Sequence, residues 1–120
     1  IMAWHTIKQL SKKNWCIEFK SSCKDHELDL FFIDYMNLLN LTTHTIIIIF
    51  DMKQITMPSI SQLTKQIIFI QKMKKLHKEN LEFFYLIITT KIVQDLVDWV
   101  FTITPPVVPY KIINDLEEII

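Results

Sequence analysis

Cys16, Cys23 and His26 stand in a C-x6-C-x2-H spacing that could offer three soft ligands to a metal. Structural zinc sites use closer cysteine pairs and four ligands. The ordinary reading is two reduced thiols, with Cys16 half-buried in register with the polar strand positions Glu18 and Lys20. His5, His44 and His77 fall one to a segment, and none has a Ser, Cys or second His at a nucleophile–base spacing. Asp51 closes an apolar run, so a central parallel strand would deliver it to the end of the sheet where open α/β folds bind ligands. Acid–base or metal work would need a second carboxylate or His beside it, and the sequence supplies none, so Asp51 reads as a loop cap. With no Gly anywhere in the chain, no Gly-rich phosphate loop can form, which excludes P-loop and Rossmann dinucleotide sites. No catalytic, cofactor-binding or metal-ligating residue is expected, and the chain is not expected to be an enzyme.

Any site must be held by a domain, and the composition permits one. A chain of 120 residues, half of them hydrophobic, can bury a single core without metal or disulfide staples. Formal net charge is zero and every basic residue is Lys. Lys72, Lys74, Lys75 and Lys78 form the one basic cluster, which reads as a solvated helix face, so nucleic acid is not an expected partner. Absence of Gly and Arg, with a single Ala and abundant Ile and Lys, suggests an AT-rich coding sequence. It also requires turns that avoid positive φ or use Asn and Asp. The apolar runs 45–50 and 83–88 are far shorter than the about 18 to 20 residues needed to span a bilayer, so a soluble domain without membrane insertion is expected. Two unpaired cysteines and no secretory signal suggest an intracellular, reducing compartment. The apolar ends Ile1 and Ile120 suggest a portion of something longer.

Alternation over Trp15 to Lys20 predicts an edge or near-edge strand, and residues 1–14 stand before it as an N-terminal extension. Ser22 and Asp25 have box-like spacing ahead of Leu28, Phe31, Phe32, Tyr35, Met36 and Leu39, which repeat at helical period. Four consecutive Ile residues ending in Phe50-Asp51 predict a central strand covered on both faces. Ser59 and Gln62 predict the start of a helix running through Leu63, Ile67 and Ile70 toward His77. Leu81 to Thr90 predicts another buried strand, and Lys91 to Phe101 a third helix that the Pro105-Pro106 pair ends. Val107 to Ile113 predicts a last strand, placed at an edge by Pro109, before a terminal helix capped by Asn114 and Glu117. The order β-α-β-α-β-α-β-α makes residues 1–120 one α/β domain, with a mostly parallel sheet of four to five strands and helices packed on it. A flavodoxin-like or thioredoxin-like sheet is the alternative of the same class.

On these residues the chain resembles the STAS domains of anti-sigma-factor antagonists. The run Ile46 to Asp51, then Ile55, then a Ser-containing helix start before Leu63 is similar to the family's apolar strand, short loop and phosphorylatable helix start. Phe84 to Ile88 resembles the next family strand, Ile92 to Phe101 its following helix, and Tyr110 to Glu118 its closing strand and helix. Switching members carry Asp-Ser-Ser/Thr-Gly at the second helix start; Ser59, Ile60, Ser61 and Gln62 fill those places here. The resemblance implies a STAS-like fold, a regulatory phosphosite at Ser59 or Ser61, and a partner surface at Thr56, Met57, Ser59 and Ile60.

Trp99 and Phe101, ahead of Pro105 and Pro106, form a second aromatic docking candidate at the sheet edge. The leading expectation is a non-enzymatic protein–protein interaction module with a regulatory or scaffold role, forming homo- or hetero-oligomers with protein partners. The alternative is a structural accessory subunit of a large assembly such as a virion, organelle ribosome or respiratory complex. A small-ligand or enzymatic site at Asp51 ranks last.

Overall fold

A computed structural model describes residues 3–119. Five strands form one sheet in the order β1 (His5–Gln9), β2 (Asn14–Phe19), β3 (Ile46–Asp51), β4 (Leu81–Ile87), β5 (Tyr110–Ile113). β1 runs antiparallel to β2, and every other neighbouring pair is parallel. Helices α1 (Asp25–Leu41), α2 (Ile60–Lys72), α3 (Lys74–Asn80) and α4 (Lys91–Ile103) fill the connections. Parallel crossovers are right-handed, and here each one joins adjacent strands in a constant direction, which puts every helix on the same face. The packing agrees. Leu28, Phe31, Tyr35 and Leu39 of α1, Met73 between α2 and α3, and Val93 and Val97 of α4 share one core with Ile17, Ile48 and Leu86 of the sheet.

That arrangement corrects the reading of β3 and β4 as covered on both faces. The run is apolar on both sides, but the face away from the helices carries only a small cluster, Ile49, Ile87 and Ile113, against which Leu116 and Ile119 of a final 3-10 turn pack. Cys16, Ile47, Phe83 and Tyr85 on that face stay half-buried.

Residues 5–9, expected within an N-terminal extension, are instead the edge strand β1. Its own alternation is weak; distant bonds hold it. The Trp4 indole donates to the Lys20 carbonyl at 3.0 Å, and the Lys20 N–H donates to the Trp4 carbonyl at 2.8 Å. Helix α1 starts two residues later than the Ser22 spacing implied: Lys24 is the N-cap, and Glu27 Oε1 accepts from its N–H at 2.8 Å. The predicted second helix breaks at Met73, whose N–H is shared between the Phe69 and Ile70 carbonyls while its side chain is buried. α3 then carries His77. The predicted last strand shortens to β5, an edge strand as Pro109 required, and the predicted terminal helix is the 3-10 turn Leu116–Ile119, tied by Glu118 Oε2 accepting from the Asn114 and Asp115 N–H groups. No described residue takes a positive φ, so the turns of this Gly-free chain avoid that region and do not use Asn or Asp in it.

Candidate functional site

The carboxyl ends of β2, β3 and β4 lie together at one end of the sheet, and the β3–α2 loop is built there from the strand outward. Asp51 is buried at the end of β3; Oδ1 accepts from the Lys53 N–H at 3.2 Å, and Lys53 Nζ lies 3.5 Å from Oδ2. It turns the loop, and it lines neither of the two concavities of about 190 and 310 Å³ found among the described residues. Met52 then donates its N–H to the Ile87 carbonyl at 3.0 Å, which fixes the first loop residue to β4.

The second half of the loop is strapped to the β2–α1 connection. Both the N–H and the hydroxyl of Thr56 donate to the Ser21 carbonyl. Ser59, with extended backbone, caps α2 by accepting from the Gln62 N–H at 3.1 Å. The Gln62 side chain does not complete the expected box. It crosses to the other loop, donating to the Cys23 carbonyl at 2.7 Å and to Asp25 Oδ1 at 3.1 Å. Between the two strapped loops lies a groove of about 310 Å³, lined among others by Ser21, Cys23, Thr56, Met57, Ser59 and Gln62. Long-range polar ties of this kind hold a loop in one conformation that its local sequence does not specify.

Of the residues singled out in sequence, Thr56, Met57 and Ser59 line this groove, with Ile60 beside them at 85% exposure and Met57 at 58%. Ser61 is exposed on the first turn of α2. Trp99 is half-exposed on α4 and is not among the groove's lining residues. Phe101 is half-buried, its ring 6.3 Å from Phe84 and 5.1 Å from Tyr110, both edge-on. The straps from Ser21, Cys23 and Gln62 had no sequence signal, because each joins residues more than thirty positions apart.

Cys16 and Cys23 are free, and burial pushes both thiols up, Cys23 to about 11, so neither is a reactive thiolate at neutral pH. Among the described residues no three His, Cys, Asp or Glu side chains converge as metal ligands, and no helix is long and apolar enough to cross a membrane.

The cap itself is testable. Ser59→Ala should lower stability by about 1 kcal/mol in urea unfolding, whereas Ser59→Asp, which caps as well, should leave it within a few tenths. Equal losses in the two variants would show that the hydroxyl is not holding the helix start.

No protein-family model matches the sequence, and no curated protein matches it. Among solved structures, the chain is similar to an uncharacterised protein of the DUF3478 family with a SpoIIAA-like fold from Shewanella loihica PV-4. The two share 11% sequence identity over 95% of this chain and 87% of that one, with a TM-score of 0.65.

Proposed function

We propose, with a SpoIIAA-like α/β fold as the premise, that this chain is a non-enzymatic protein–protein interaction module, and that its partner docks on the β3–α2 loop and the start of α2. One observation carries the reading: Met57 and Ile60 expose large apolar side chains on a loop that Thr56 and Gln62 tie rigidly to the neighbouring connection. Exposed side chains on a preorganised loop cost little entropy to dock, and apolar anchors at the centre of a patch dominate binding. Ser59, exposed between them, is where added negative charge would enter the contact, so a regulatory role for this module runs through Ser59 or Ser61.

Affinity capture from the native source tests this. Met57→Asp and Ile60→Asp, each folded as judged by circular dichroism, should weaken retention of the partner about 10- to 100-fold relative to the unmodified chain. Full retention by both variants would remove the loop from the interface.

A second reading, an accessory subunit of a large assembly, is favoured by a separate patch: Trp99, Ile103 and Tyr110 are all substantially exposed along α4 and the β5 edge. In that case Trp99→Ala, and not Ile60→Asp, would release the neighbour.

A further inference from the structure

The outer side of the helix layer carries charge and apolar side chains in a fixed order. Four ties lay α2 and α3 alongside α1 in the same direction: Gln62 to Asp25 at 3.1 Å, Lys65 Nζ to Asp29 Oδ1 at 3.6 Å, Phe32 stacked on Phe69 at 4.1 Å, and Tyr35 paired with His77 at 2.7 Å. Residues three or four apart share a helix face, so each helix contributes one stripe to the outward side of the pair. The end where both helices begin is acidic, with Asp25 and Asp29 exposed on α1. The far end is basic: Lys72 and Lys75 are exposed and make no ion pair among the described residues. Between the two ends Ile33, Met36 and Ile68 are 39 to 52% exposed.

A single apolar side chain in water is ordinary, but three grouped across two neighbouring helices mark a contact surface. Helix dipoles favour acids at one end and lysines at the other; they do not call for large apolar residues in water between them. The charge order selects the occupant. An anionic membrane or a uniformly acidic partner would be repelled by the acidic end, whereas a second copy of the chain is matched at both ends.

We infer that this surface is the contact of a homodimer, in which two copies of the chain meet helix layer to helix layer about a two-fold axis. With that axis in the plane of the contact, perpendicular to the line joining the charged ends, Lys72 and Lys75 of each copy lie over Asp25 and Asp29 of the other, and the apolar middle lies on itself. The contact does not use Met57 or Ile60, so it stands or falls independently of the loop's partner.

Sedimentation velocity of the purified chain from about 5 to 500 µM tests this. The mass should rise with concentration from the chain's 14.4 kDa toward twice that value, and added salt should shift the equilibrium back, because the charged ends lie at the rim. Ile68→Asp should weaken association at least about tenfold. Lys72→Glu with Lys75→Glu in one chain, and Asp25→Lys with Asp29→Lys in another, should each stop self-association. An equimolar mixture of these two, each folded by circular dichroism, should form a heterodimer, since every charged end again meets its opposite. If the second of them does not fold, Ile68→Asp and the salt dependence decide. A monomer at every concentration, a dimer untouched by Ile68→Asp, or no heterodimer from two folded variants would overturn the assignment. So would a chain that stays monomeric and binds anionic vesicles through Lys72 and Lys75.

Discussion

Ile48→Ala should lower the unfolding free energy by about 2–5 kcal/mol, while Ile47→Ala, one residue away, should cost about 1 kcal/mol. Ile48 is fully buried on the central strand, level with Trp15 of β2 and Phe84 of β4, on the face that all four helices cover. Truncating it leaves a void among side chains that cannot collapse into it. Ile47 points the other way, is half-buried, and has water rather than a helix on one side. Against a total stability of about 5–15 kcal/mol for a domain of this kind, the first substitution removes a large share and the second a small one. Urea unfolding of the two variants reads the difference. Equal losses would mean that the sheet is packed on both faces, contrary to the one-sided helix layer.

Acidification should weaken the fold through His77. Burial lowers its pKa in the folded chain from 6.5 to about 4, and the buried Tyr35 hydroxyl, kept protonated, pairs with its neutral ring at 2.7 Å. In the unfolded chain the imidazole takes up a proton near its ordinary value. Between about pH 6.5 and pH 4 the unfolded state therefore binds more protons, and stability falls as pH falls. The contribution of His77 is intact above that window and is lost progressively to a total on the order of 3 kcal/mol at its lower end. His77→Phe, which keeps an aromatic ring in the site, should be less stable than the unmodified chain near pH 7, because Tyr35 loses its hydrogen-bond partner, but should show a shallower decline on acidification. Parallel pH profiles for the two proteins, measured by denaturant midpoint, would contradict this role.

What was legible in the sequence was local. The Ile46–Ile49 run and the apolar stretch after Leu81 specify strands because β-branched and aromatic residues pack on a pleated surface. Ser59 marks a helix start because its side-chain oxygen satisfies a free N–H, as it does here. Pro109 placed β5 at the edge. The rest depends on partners distant in the chain. β1 is held by Trp4 against Lys20, the break at Met73 has no Pro or Gly to announce it, and Gln62 chooses Cys23 and Asp25 over its own helix end. Coverage of one face of the sheet follows from strand order, which periodicity cannot supply. Of the candidate site, the exposed residues of the loop were visible through a resemblance carried by the neighbouring strand and helix. The straps that hold them emerge only once β2, β3 and β4 are side by side.

The proposal that the β3–α2 loop is the docking surface is most directly tested by amide hydrogen exchange on the chain bound to the partner captured from its native source. Residues 56–62 should gain protection on binding, with β1 and β5 exchanging as in the free chain. Protection confined to the β1 or β5 edge, with residues 56–62 unchanged, would contradict it.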